Sequence, residues 1–131
     1  MEINTANKAE SFDYGSLQSV DAEAGVLGAI LLESSTATKL FQKLNKNLFV
    51  DGRHRKIYKT MQSLLIENVP IDEATIIQKL TRQGEDAEQE AGGRSYILTL
   101  QDNCPSTANF SYFLEELQDF AIRRSLYNQM Q

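Results

Sequence analysis

The sequence predicts an all-α fold: a compact helical bundle of about five helices followed by a long C-terminal helix. Apolar residues return every three or four positions along most of the chain, which is the period of a helix face. Strict apolar–polar alternation, the mark of a half-buried strand, is absent. Capping residues and Gly or Pro breaks divide the periodic segments into helix-sized pieces.

Ser19 is placed to cap a first helix running to Leu32, with Asp21 and Glu23 in its first turn, where the helix dipole favours acids. Val20, Ala24, Leu27 and Leu31 fall on one face. Gly25 and Gly28 each cost about 1 kcal/mol against Ala inside a helix, so a closely packed neighbour is their expected justification. A second helix, Thr36 to Leu44, buries Ala37, Leu40, Phe41 and Leu44, and Leu48–Phe49 turns inward as an anchor. A third, Gly52 to Glu67, carries His54, Ile57, Tyr58, Met61, Leu64 and Leu65 in one stripe and stops at Asn68-Val-Pro70. Asp72 caps a fourth, with Ile76, Ile77 and Leu80 inside and Gly84 at its end.

The stretch Glu85 to Gly93 is expected to be an acidic loop, followed by a fifth helix from Arg94 to about Leu100. Asn103-Cys104-Pro105-Ser106 connects to the last helix, which starts at Thr107 and is about 36 Å long if it runs to the end. The division expected is a flexible tail over 1–18, a globular bundle over 19–105 and an arm over 106–131. On the arm, Phe110, Phe113, Leu117, Phe120 and Tyr127 form a stripe interrupted by Arg124, with Leu114 and Ala121 beside it. Burial within the domain's own core is one reading of these residues. The arm's length favours the other, an apolar surface that the chain cannot cover by itself, so that the helix projects and pairs with another molecule.

Composition narrows the function. Eighteen acids against 13 bases give a net charge of -5, which argues against a dedicated nucleic-acid binder. The charge is uneven: Lys39 to Lys59 holds seven bases and one acid, and Gly84 to Glu90 holds four acids and no base. Two solvated faces would account for this; the alternative is docking of an acidic partner, for which Lys39, Lys43, Lys46, Arg55 and Lys59 are the candidates. No Gly-Lys-Ser/Thr phosphate loop is present, and one His with one Cys makes no zinc-type ligand cluster. His54, on an inner stripe without an obvious acid nearby, reads as a packed structural histidine, and Cys104 reads as inert. No catalytic, cofactor-binding or metal-ligating residue is expected. The single cysteine, the polar start and the lack of a long apolar run suggest a cytoplasmic protein without a membrane segment.

The order of the pieces resembles the N-terminal domain of DnaB-type replicative DNA helicases. The resemblance rests on Val20-Asp-Ala-Glu-Ala-Gly-Val-Leu-Gly-Ala-Ile-Leu, Phe49, Arg53-His54-Arg55-Lys-Ile57-Tyr58 and Val69-Pro-Ile-Asp72. It continues in Gly92-Gly93, Tyr96-Ile97-Leu98, Pro105-Ser106-Thr107-Ala108-Asn109 and Tyr112, and covers about Ser19 to Tyr127. The family pattern has a longer side chain at or beside Gly25, and the segment Gly84 to Gly92 is slightly longer than usual, departures that bear on partner specificity and leave the fold unchanged. The resemblance implies a collar domain without ATPase activity, six copies of which cap a ring of ATPase domains. The arm would be the first helix of a hairpin through which neighbours pair as dimers or a hexamer, the chain ending near the hairpin's middle. Primase, and in some systems a loader, would dock on the collar. ATP and magnesium would be bound, and DNA contacted, only in the ATPase domain of the parent. The competing readings are the helicase-binding domain of a bacterial primase and a small nucleic-acid-binding protein using Lys39 to Lys59.

Overall fold

The computed structural model describes residues 19–130; the expected tail over 1–18 lies outside them. Seven α-helices follow in order: α1 (Val20–Leu32), α2 (Ser34–Phe41), α3 (Gly52–Ile66), α4 (Glu73–Gln83), α5 (Glu85–Glu90), α6 (Arg94–Asp102) and α7 (Phe110–Gln129). Single 3-10 turns, Lys46–Leu48 and Thr107–Asn109, precede α3 and α7. Among the described residues there is no strand. The bundle before the long helix therefore has six helices, one more than the sequence suggests.

The additional helix is α5, in the segment expected to be a loop. Its register could not be read from apolar spacing because it buries only Ala87. What favours it is polar: Glu85, Asp86 and Glu88 lie in its first turn, where the helix dipole stabilises carboxylates. The other boundaries follow their caps. Ser19 Oγ accepts the Ala22 N–H at 3.1 Å. Asp72 and Thr75 form a reciprocal capping box at the start of α4, with Asp72 Oδ1 accepting from Thr75 N–H at 2.8 Å and Thr75 Oγ1 from Asp72 N–H at 3.0 Å. At the end of α3, Asn68 takes a left-handed conformation (φ 61°) and the Val69 N–H returns to the Leu64 carbonyl at 2.9 Å. Helix α2 begins two residues earlier and ends three earlier than expected, the chain turning after Phe41 while Leu44 still reaches the core.

Helix α1 is the central element. From Val26 to Leu31 every residue is buried, so the helix is enclosed all round in this stretch, where the sequence suggested a single apolar face. Val20, expected on that face, is exposed. Both internal glycines have the close neighbour expected of them. A Cβ on Gly28 would stand 2.4 Å from the Leu100 carbonyl oxygen of α6, and one on Gly25 would stand 2.5 Å from the Phe113 ring of α7. Two helices thus seat on α1 where its side chains are missing. The longer family side chain near Gly25 has no room while Phe113 holds this position.

Helix α7 lies back on the bundle and does not project from it, which corrects the expected arm. Phe110 and Leu117 are 2% and 1% exposed, and Phe113, Leu114 and Ala121 pack against the core. Near the far end, the buried Arg124 reaches across and donates from Nη2 to the Asn47 carbonyl at 2.6 Å. The apolar stripe is covered mainly by the chain's own α1, which needs no partner. Burial of a leucine such as Leu117 is worth about 2 kcal/mol, ample reason for the helix to fold back.

Candidate functional site

The strongest concentration of polar chemistry is in the interior, around His54. Contrary to the sequence reading, an acid does stand beside it: Glu23, one turn into α1 and 31 residues earlier. Both side chains are 0% exposed. Glu23 Oε2 accepts the Val50 N–H at 2.9 Å; Oε1 accepts the Asp51 N–H at 3.2 Å and lies 2.8 Å from His54 Nδ1. The other ring nitrogen, Nε2, is 2.5 Å from the Tyr96 hydroxyl of α6. A carboxylate only accepts, so Nδ1 carries a proton for Glu23, and in the neutral ring Nε2 accepts from Tyr96. Gly92 lets the Tyr96 ring close in, since a Cβ there would meet the ring at 2.7 Å on a backbone already at φ 94°. Arg53 stacks over the outer face of Tyr96, its guanidinium carbon 4.2 Å from the ring centroid.

This arrangement shares a residue pattern with catalytic relays but has nowhere to act. Every ring nitrogen and carboxylate oxygen is engaged, and neither His54 nor Glu23 meets solvent, so no substrate atom reaches them. The histidine is structural. It clamps α3 to α1 and α6, and Glu23 terminates the backbone donors of the chain entering α3. Glu23 was legible only as a first-turn acid, because its partners are distant in sequence.

Asp51 completes the entry to α3. It accepts the Arg53 N–H at 2.9 Å as helix cap, and grips the Arg53 side chain through Nε and Nη2, each at 3.0 Å. The Arg53 hydrogen bonds hold its carboxyl at about 2, below the usual carboxylate range. A depressed folded value stabilises the fold above the unfolded value near 4, and that stability drains away as pH falls through about 2. The expected increment is on the order of 1–2 kcal/mol. Urea titrations at pH 4.5 and pH 2 should show Asp51→Asn losing less stability than wild type across that interval. Equal losses would mean that the Arg53 grip does not tune this carboxyl.

The outer surface is where partners can reach. Of the arm residues expected at an interface, Phe110, Leu117 and Arg124 are buried by the chain itself, whereas Phe113, Leu114, Phe120 and Tyr127 are half-buried. The exposed apolar residues of α7 lie on its opposite side: Tyr112 (68% exposed), Ile122 (60%), Leu126 (55%) and Met130 just past its end (82%). Ile122, Leu126 and Met130 are four apart and stack into one line. Sequence reasoning passed over this line because the heavier phenylalanine stripe dominates the same helix. Asp119 and Arg123, paired at 2.8 Å, flank it.

The five candidate docking bases Lys39, Lys43, Lys46, Arg55 and Lys59 are all exposed. Among the described residues none of them is in an ion pair, while Arg53, Lys56, Lys79, Arg94 and Arg123 each have a carboxylate. Lys46, Arg55 and Lys59 converge on one groove of about 970 Å³, between the Lys46–Leu48 turn, α3 and α7. Lys39 and Lys43 do not line it. Among the described residues no group of three or more His, Cys, Asp and Glu side chains could hold a metal, and no helix is long and apolar enough to cross a membrane.

The described residues form an all-α domain with a filled interior, an exposed apolar line on α7 and a basic face whose five candidate bases stand in no ion pair. Residues 15–119 match the DnaB-like helicase N terminal domain family, and the chain belongs to that family. It is 33% identical over 109 residues to the replicative DNA helicase DnaC of Bacillus subtilis, covering 83% of this chain and 24% of the relative. To the replicative DNA helicase DnaB of Rhodothermus marinus it is 31% identical over 109 residues, covering 83% and 11%. The chain thus spans a quarter or less of these relatives' length. In structure it is similar to the N-terminal domain of DnaB helicase from Mycobacterium tuberculosis (TM-score 0.73, 27% identity, 85% of this chain and 77% of that one). It is also similar to a DnaB-like replicative helicase described with its interactions with primase (TM-score 0.70, 26% identity, 82% and 25%). The family matched is that of the helicase domain, which favours the helicase reading over its primase rival.

Proposed function

We propose that this chain is the non-catalytic collar domain of a hexameric ATP-dependent 5′-3′ replicative helicase, assembling the ring and docking primase or a loader. ATP, magnesium and DNA would be handled by a separate ATPase domain of the parent. The observation that supports the assembly role is the line Ile122, Leu126 and Met130, apolar side chains held out from a helix whose other side is fastened to the bundle. A rigid helix presenting such a line costs little ordering entropy on pairing. This moves the self-association surface from the phenylalanine stripe to the far side of α7, with Phe113, Phe120 and Tyr127 at its margin.

The test is solution mass by sedimentation equilibrium. Leu126→Glu with Met130→Glu is expected to weaken self-association by about 2–4 kcal/mol, the range of central interface residues, and to leave a folded monomer. Unchanged mass would reject this face. Phe113→Glu is unsuitable as a probe, because its ring packs against Gly25 and the change would loosen the fold itself.

A further inference from the structure

The basic groove lies beside the apolar line of α7 and shares Ile122 with it, while Leu126 and Met130 lie outside it. Its floor is apolar, formed by Leu48, Phe49 and Tyr58, and Ala121 and Ile122 of α7 make one wall. Phe49 and Tyr58 are 3% and 6% exposed, with their rings packed together at 5.4 Å between centroids. Lys46, Arg55 and Lys59 stand around this floor, and none of the residues lining the groove is an acid. Arg124 donates to the Asn47 carbonyl and so ties α7 to the turn on the other side of the groove.

Charge and shape together select the occupant. A single-stranded nucleic acid would meet the bases, but it gains much of its affinity by stacking on exposed aromatic rings, and those of this floor are buried. A volume of about 970 Å³ is roughly that of two turns of a helix about 10 Å wide. The exposed Ile122, with Ala121 beside it, offers an apolar wall to the ridge of an amphipathic helix, and the three cations, in no ion pair among the described residues, suit acids flanking that ridge. We propose that this groove docks an amphipathic helix of a partner protein, one whose apolar ridge is bordered by Asp or Glu. The proposal names the partner chemistry for the docking role given above and rests on it, but not on the self-association face.

The probe is a designed helical peptide of about five turns with a leucine ridge flanked by glutamates. Its controls are the same peptide with lysine for glutamate, a scrambled peptide of equal composition, and oligothymidine. Binding is read by fluorescence anisotropy at about 0.15 M salt and located by amide chemical-shift changes. The glutamate peptide is expected to bind at least about tenfold more tightly than either control peptide, shifting Lys46, Arg55 and Ile122. Arg55→Glu with Lys59→Glu, both at exposed positions, is expected to reverse the preference in favour of the lysine peptide. Equal binding of the scrambled peptide, or an unchanged preference in the charge-reversed variant, overturns the proposal. Tighter binding of oligothymidine replaces it with a nucleic-acid site, and groove shifts that track protein concentration without peptide replace it with a second copy. Leu126→Glu with Met130→Glu should leave peptide binding unchanged, so the failure of one role is separable from failure of the other.

Discussion

Replacing Glu23 with alanine is expected to destabilise the domain by about 3–5 kcal/mol, the scale found when one partner of a buried ionic network is removed. The reason is the number of donors left behind. The Val50 N–H, the Asp51 N–H and His54 Nδ1 all converge on this carboxylate, and the Glu23 and His54 side chains are wholly buried. Each orphaned donor retains its desolvation penalty of about 1–3 kcal/mol, partly relieved where water enters the space. Against a typical total of about 5–15 kcal/mol the loss decides whether the chain folds well at all. Two milder variants keep the claim measurable. Glu23→Gln leaves one acceptor but turns an amide donor toward another donor, and should cost about 1–3 kcal/mol. Tyr96→Phe removes only the outer hydroxyl and should cost about 1 kcal/mol. Urea denaturation should rank the three in that order. If Glu23→Ala lost less than Tyr96→Phe, the network would not be what joins α3 to α1 and α6.

What was legible in the sequence was whatever is local. Ser19 and Asp72 cap their helices because a side-chain oxygen three residues upstream of a free N–H is a property of a few neighbouring positions. The apolar stripe of α3 was equally plain, and His54, Ile57, Tyr58, Met61 and Leu64 are all buried. Helix α5 was not, since Glu85 to Glu90 has no apolar period to read and only one buried residue. Glu23 failed for a different reason: nothing about a first-turn acid says that a histidine in another helix will turn toward it.

The arm shows the limit most clearly. A stripe of Phe110, Phe113 and Leu117 states that something must cover it, and gives no indication whether that something is another molecule or the chain's own α1. The answer depended on Gly25, about ninety residues away, which opens the place where Phe113 of α7 lies, as Gly28 does for Leu100 of α6. That Lys46, Arg55 and Lys59 stand in no ion pair among the described residues likewise followed from where those carboxylates ended up, while their clustering was visible in one dimension.

Those glycines lead to the second large effect. Alanine at either position gains about 1 kcal/mol of helix propensity, so the neighbour decides the sign. At Gly28 the neighbour is the Leu100 carbonyl oxygen, 2.4 Å from the added carbon, with Cys104 Cβ at 3.1 Å. A backbone group inside α6 cannot turn aside; α6 must move off α1 and part the packing around it. Overpacking of this kind costs about 1–3 kcal/mol, and rigid backbone places it at the upper end, for a net loss near 2 kcal/mol. At Gly25 the obstacle is the edge of the Phe113 ring, a half-buried side chain that can swing outward, so Gly25→Ala should stay within about 1 kcal/mol of wild type. Adding Phe113→Leu should recover any loss at Gly25 and do nothing for Gly28→Ala, a difference that a pair of double-mutant cycles measures directly. A Gly28→Ala domain as stable as wild type would show that α1 and α6 do not approach as closely as the Leu100 carbonyl requires.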